Sequence, residues 1–183
     1  GKHSSTVTIE SDDADEGTYT FVIRASSKAT GDNSLWSVTN ITSNSELNNP
    51  YEITYGPDNK LWISERVGKK IVTVSPTGGS KTTILDLSSL VDQTKGQDGL
   101  LGFAIHPDLY TDINTSNNYI YIAYTHDIDP SDDGDNDTEG DVDRKLRIAR
   151  YNYISGTGLL DFSSATTLIE GIDASNDHNS GRM

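Results

Sequence analysis

The 183-residue chain contains no cysteine. That excludes a disulfide framework, thiolate chemistry and any cysteine-ligated zinc. Basic residues are scarce: 14 Lys and Arg stand against 28 Asp and Glu, for a formal charge of -14. A phosphate backbone is gripped by clustered cations, so an electrostatic nucleic-acid binder is excluded as well. Hydrophobic residues make up 33% of the chain, and no apolar run approaches the roughly 20 residues of a transmembrane segment. Gly1 opens the sequence without a basic and apolar leader, so the expectation is a processed chain or a piece of a longer one.

What is abundant is acid, and it is concentrated in two places. Glu10, Asp12, Asp13, Asp15 and Glu16 are five acids within seven residues, and Asp127 to Asp143 holds nine more within seventeen. Neither stretch contains Lys or Arg, which leaves 14 acids against 14 bases elsewhere. The net charge therefore describes two local segments on an otherwise neutral scaffold.

Helical periodicity is nearly absent. Short alternating or β-branched runs bounded by Gly, Pro, Asn and Asp recur instead, which predicts an all-β fold. The runs place strands at Ser5 to Glu10 and Thr18 to Ala25, followed by a Gly-, Asn- and Ser-containing linker. Further strands are expected at Trp36 to Ile41, Tyr51 to Tyr55, Leu61 to Glu65, Lys70 to Ser75 and Thr82 to Leu87. A second group follows at Leu101 to Ile105, Tyr119 to Tyr124, Leu146 to Tyr153 and Thr167 to Glu170.

Two of these units are alike. Tyr55-Gly56-Pro57-Asp58 leads into Leu61-Trp62-Ile63, and Ile105-His106-Pro107-Asp108 leads, after an Asn-rich insertion, into Ile120-Tyr121-Ile122. Pro presets φ for a turn and Asp bonds its own backbone, so in each unit a strand is reversed into an aromatic-rich partner. Four-stranded units repeating at about 40 to 50 residues have the sequence form of propeller blades. Rings close with about 4 to 8 blades. Two cannot close one, and their outer faces and edges would stay bare, so the chain is expected to be a fragment, a partial β-propeller.

Three features could carry chemistry. Gly96-Gln97-Asp98-Gly99-Leu100-Leu101-Gly102 is a Gly-rich entry into an apolar strand, with a structural reading beside any functional one. It lacks the Lys, the Ser or Thr and the following helix of a phosphate loop. Asn176-Asp177-His178-Asn179-Ser180-Gly181-Arg182 sets a carboxylate beside an imidazole, the composition of a general-base site and also of an ordinary polar loop. In an extended strand the two side chains would point to opposite faces, so Asp177 would orient His178 only if the backbone turned there. The acidic run, with Asp133, Asp135 and Asp137 at alternate positions around Gly134, offers hard oxygen ligands for calcium. It lacks the EF-hand register, and a solvated, self-repelling loop is the other reading. His3, His106 and His126 stand isolated, with no partner spaced for zinc.

Taken together, Asn49-Pro50-Tyr51-Glu52-Ile53-Thr54-Tyr55-Gly56-Pro57-Asp58, Leu61-Trp62-Ile63-Ser64-Glu65-Arg66, the Gly96 to Gly102 motif and Asp177-His178-Asn179-Ser180-Gly181-Arg182 resemble the soluble glucose/sorbosone dehydrogenase family of quinoproteins. The resemblance runs from about Asn49 to the end. It implies a six-bladed propeller, of which residues 36–183 would be about two blades. It also implies pyrroloquinoline quinone bound above the channel with calcium, an aldose sugar as substrate, an external electron acceptor, and a secreted, extracellular or periplasmic location. Residue by residue, His178 matches the catalytic base that takes the proton of the anomeric hydroxyl as hydride passes to the quinone. Gln97 and Asp177 match polar residues of the sugar site. The basic residues that hold the quinone and the carbonyls that hold calcium lie in later blades of the family, so the isolated chain is expected neither to bind quinone nor to oxidise sugar. A propeller used extracellularly for carbohydrate or protein recognition, without redox chemistry, is the alternative, since a fold does not fix a function. The acidic run leaves a third reading, a calcium-dependent adhesion piece.

Residues 1–26 resemble the last two strands of the immunoglobulin-like β-sandwich repeats of large secreted bacterial proteins. Val7 to Glu16 followed by Tyr19 to Ile23 carries the likeness. Residues 27–35 would then link that module to the propeller.

Overall fold

A computed structural model describes residues 2–9, 19–26, 40–42, 46–94, 96–128 and 144–183. Two compact units divide the chain, Gly1–Thr39 and Asn40–Met183. In the first, β1 (Lys2–Ile9) and β2 (Tyr19–Ser26) pair antiparallel, from Lys2 opposite Ser26 to Ile9 opposite Tyr19. The first acidic stretch, between them, lies outside the described residues, as does most of the strand expected at 36–41. Asn40 and Ile41 themselves are not strand.

The second unit is two four-stranded antiparallel meanders. One runs β3 (Pro50–Tyr55), β4 (Leu61–Glu65), β5 (Lys70–Val74), β6 (Thr82–Asp86), and the other β7 (Leu100–Ile105), β8 (Tyr119–Asp127), β9 (Arg144–Ile154), β10 (Leu159–Asp173). Each sheet is one blade, so the chain is all-β and forms part of a propeller-like fold. β4 and β5 are buried on both faces, which is why Trp-Ile-Ser-Glu and Ile-Val-Thr-Val read as nearly continuous runs. Trp62 and Ile71 face the second blade, while Ile63, Val72 and Val74 face away from it onto Ile41 and Leu47. Between the blades, Trp62, Ile71, Leu85 and Leu87 meet Leu100, Phe103, Ile120, Ile122, Tyr124 and Tyr151 in one core. The rings of Trp62 and Tyr153 stand 5.6 Å apart, centroid to centroid. Each such side chain contributes about 1.5–3 kcal/mol by leaving water.

The repeated turn is real, and the two copies differ by the insertion. After β3, the Gly56 N–H donates to the Lys60 carbonyl at 2.7 Å, and Asp58 accepts both the Lys60 N–H and the Trp62 indole N–H, the latter at 2.8 Å. After β7, the His106 N–H donates likewise to the Tyr119 carbonyl at 2.9 Å. There a short 3-10 turn, Pro107–Tyr110, buries Leu109 within the detour.

β10 departs from expectation: it spans Leu159–Asp173 and not only Thr167 to Glu170. Its register on β9 shifts three times, between Asp161 and Thr166, Thr167 and Ile169, and Ile169 and Ile172. Those irregularities scramble the period of two that marks a strand in sequence. Apolar side chains remain exposed on β3 (Tyr51, Ile53, Tyr55) and β10 (Phe162, Leu168, Ile169, Ile172).

Candidate functional site

The site begins with how the loop between β6 and β7 is tied down. The Asp92 N–H donates to the Thr125 carbonyl at 2.9 Å, and the Thr125 N–H to the Gly99 carbonyl at 3.0 Å. The Thr125 hydroxyl receives the Gly99 N–H and donates to the Asp92 carbonyl, both at 2.7 Å. Both ends of the loop are thus bolted to the end of β8. On the other side, Arg66, in the turn after β4, accepts the Leu100 N–H at its carbonyl (3.1 Å) and donates from Nη1 to the Asp98 carbonyl (2.9 Å). Gly99 makes this crossing possible: its φ is +119° and a Cβ there would stand 2.5 Å from the Arg66 oxygen.

Inside the loop, the fully buried Asp98 carboxylate accepts the Thr94 N–H at 2.8 Å and its hydroxyl at 3.1 Å. Arg144, the first residue of β9, reaches in from beneath. Its side chain is buried, with Nε 2.6 Å from Asp92 Oδ2 and Nη2 3.5 Å from Asp98 Oδ2. Sequence reasoning singled out neither Arg144 nor Thr125. Their partners lie about thirty to fifty positions away in sequence, and no local motif joins them.

Gln97 sits at the exposed crest of this loop and meets the segment that follows β10. Its N–H donates to the Asn176 carbonyl (3.2 Å), its Oε1 accepts the His178 N–H (2.9 Å), and its carbonyl accepts Asn179 Nδ2 (3.3 Å). Farther along, the Gly102 N–H donates to the Gly181 carbonyl at 3.1 Å. The structure therefore brings Gln97, Asp177 and His178 together across 81 positions of sequence.

The segment is not extended. His178 has φ +53°, a conformation costing a non-glycine residue about 1–2 kcal/mol. The Asp177 carboxylate caps the His178 N–H at 3.0 Å, and Asn179 and Ser175 bond each other in both directions, offsetting that cost. With the backbone turned, the Asp177 carboxylate and the imidazole lie on the same side, Oδ2 to Nδ1 3.7 Å, longer than a hydrogen bond. The imidazole is 78% exposed, open to a substrate arriving from solvent. An exposed ring beside a carboxylate, with amide and carbonyl groups of Gln97 and Asn179 around it, can accept a proton from a hydroxyl and hydrogen-bond its neighbours.

Other expected residues separate from this site. Asp133, Asp135 and Asp137 lie outside the described residues. Among the described residues, no group of three or more His, Asp or Glu is arranged to hold a metal. His106 is a turn residue, its Nδ1 accepting the Asp108 N–H at 3.2 Å. His126 is not isolated: it is buried, its Nε2 lies 3.7 Å from Glu170, and burial first and the Arg147 charge second push its pKa down. Arg66 and Arg144 are turned inward onto Asp98 and Asp92, committed to the scaffold and not to a ligand's carboxylates. Arg66 and Arg144 therefore offer no open guanidinium to a quinone's carboxylates, while Gln97, Asp177 and His178 present polar groups at the surface. Among them, no helix is long and apolar enough to cross a membrane.

The chain is similar to known proteins. The chain is 37% identical over 139 residues to quinoprotein glucose dehydrogenase B of Acinetobacter calcoaceticus, an alignment covering 76% of this chain and 26% of that protein. The PQQ-bound aldose sugar dehydrogenase of Streptomyces coelicolor superposes with a TM-score of 0.53 at 25% identity, covering 74% of this chain and 34% of that one. The chain thus spans about a quarter to a third of the length of these relatives. The family model for glucose/sorbosone dehydrogenases matches residues 47–183, three-quarters of the sequence and both blades. The chain belongs to the glucose/sorbosone dehydrogenase family.

Proposed function

We propose that this chain supplies the first two blades of a PQQ-dependent aldose dehydrogenase that oxidises a sugar at its anomeric carbon. In this reading His178 is the base that takes the hydroxyl proton. The observation that carries it is the hydrogen bond from the His178 N–H to Gln97 Oε1, 2.9 Å, which joins two distant motifs at an exposed imidazole. Pyrroloquinoline quinone, when bound, supplies the two-electron acceptor, and residues beyond these two blades would hold it. This chain's own part is to bind and to move a proton. Gln97 and Asp177 present an amide and a carboxylate to sugar hydroxyls, and the exposed His178 imidazole is the group that accepts the proton. An external electron acceptor and an extracytoplasmic location belong to the same reading. The quinoprotein relatives give no support to a purely recognition-type propeller.

In the full-length, quinone-loaded protein, His178→Ala is expected to cut sugar-dependent dye reduction by about 10²–10⁴-fold, the usual worth of a general base. Quinone uptake, followed by its absorbance, should be unchanged. Turnover close to wild type would remove His178 from the mechanism.

A further inference from the structure

We propose that Asp98 is a positioning residue for His178, acting through the adjoining Gln97 peptide; the inference rests on the reading of His178 as the base. Asp98 is the most completely enclosed carboxylate in the β6–β7 loop, its side chain showing no exposure. Oδ2 takes the Thr94 N–H at 2.8 Å and hydroxyl at 3.1 Å, with Arg144 Nη2 at 3.5 Å, and Oδ1 takes Gln93 Nε2 at 3.4 Å. Arg66 Nη1 is 4.0 Å from Oδ1 and donates to the residue's own carbonyl at 2.9 Å. Side chain and carbonyl are thus held from opposite blades. The residue next in line, Gln97, makes three hydrogen bonds from this loop to the Asn176–Asn179 turn.

Burying a carboxylate with two guanidiniums is a poor way to gain stability, because apolar side chains of the same volume do as well or better. Here the ions sit beneath a loop that grips the imidazole-bearing turn, while the core between the blades is apolar. That placement assigns them to geometry. His178 is exposed and lies outside any strand, so its position depends on main-chain restraints, and Gln97 supplies the one that reaches its own N–H from another element.

The test uses Asp98→Asn, which keeps the shape and removes the charge, in the full-length quinone-loaded protein well below its melting temperature. Two readings are taken: kcat for sugar-dependent dye reduction per folded molecule, and hydrogen exchange at the His178 amide, with the Ile122 amide as internal control. Loss of position predicts a fall in kcat of about 10- to 100-fold and exchange at His178 faster by about 10-fold or more, with Ile122 unchanged. A lowered melting temperature with kcat and His178 exchange both as in wild type would show a merely structural role and overturn the proposal. If Asp98→Asn does not fold, Thr94→Ala removes one of the carboxylate's hydrogen bonds and should move both readings in the same direction by a smaller factor; no change in either is again refuting. Should the wild-type protein oxidise no aldose, the reading of His178 as base falls, yet the exchange measurement still decides whether Asp98 holds the turn.

Discussion

Replacing Gly102 by alanine tests how closely the site depends on two backbones touching. Gly102 lies within β7, and a Cβ on it would stand 2.1 Å from the Gly181 carbonyl oxygen and 3.0 Å from the carbonyl carbon, where ordinary contact begins near 3.4 Å. No side chain can swing aside, because the obstructing atoms are main chain. The segment carrying Gly181 must therefore retreat by about 1 Å or more, and the 3.1 Å hydrogen bond from the Gly102 N–H is lost with it. That bond is worth about 1 kcal/mol, and residual overpacking adds about 1–3 kcal/mol. His178 is three residues from Gly181 on the same short stretch, so it moves too. A displacement of that size costs about 10²-fold in rate when the displaced group does the chemistry. The assay is sugar-dependent dye reduction by the full-length, quinone-loaded Gly102→Ala protein, beside a thermal melt. The expected result is a loss of roughly two orders of magnitude in kcat at temperatures where the variant remains folded. A folded variant within a factor of two of wild-type kcat would refute the claim that the contact between β7 and the terminal segment sets the position of His178.

Two further outcomes are expected. Asp58→Ala leaves the indole N–H of fully buried Trp62 without its acceptor at 2.8 Å, so urea unfolding should show a loss of about 1–3 kcal/mol, and a change below about 0.5 kcal/mol would count against that bond. His126, facing Arg147 on β9, Glu170 on β10 and its own neighbour Asp127, has a pKa lowered chiefly by burial. The unfolded chain therefore binds a proton near pH 6.5 that the folded chain refuses. The stability His126 contributes is complete above that value and is lost as pH falls toward the folded pKa, so the melting temperature should drop between about pH 7.5 and pH 5, and less steeply in His126→Gln. Identical slopes would refute the assignment. The Asp86 carboxyl, held down to about 2 by Ser88 and Lys70, acts only at lower pH and leaves this window clear.

Strand positions and the turn repeat are legible in the sequence because they rest on short-range rules. Gly56-Pro57-Asp58 and His106-Pro107-Asp108 make turns through their own backbone and side chains, and Trp62 or Ile122 needs only a neighbouring sheet. β10 is less legible because three register shifts break its alternation. The pairing of Gln97 with His178 follows from the family resemblance but not from spacing, since 81 residues separate them. Arg144 is hidden for the same reason, and further because it closes an acidic run whose charge draws attention to calcium instead. The turn at Asp177 and His178 escapes the sequence for a different reason: a positive φ is signalled most plainly by Gly, and here His178 adopts it with its N–H held by Gln97 and Asp177.

That turn explains how an exposed imidazole can be placed accurately. Packing, which fixes buried side chains, does nothing for a ring that is 78% exposed. What remains is the main chain: beside the bonds within the turn itself, one path of restraint leads inward from His178 to Gln97, from Gln97 to the buried carboxylate of Asp98, and from Asp98 to Arg144 on β9 and Arg66 beside β4. The second path runs from Gly181 to Gly102 in the interior of β7. Both paths end in the contact between the two blades. Substitutions in that contact, far from any sugar, should therefore change kcat before they unfold the protein, whereas exposed positions on β10 such as Leu168, which lie on neither path, should change association or solubility and leave the geometry at His178 intact.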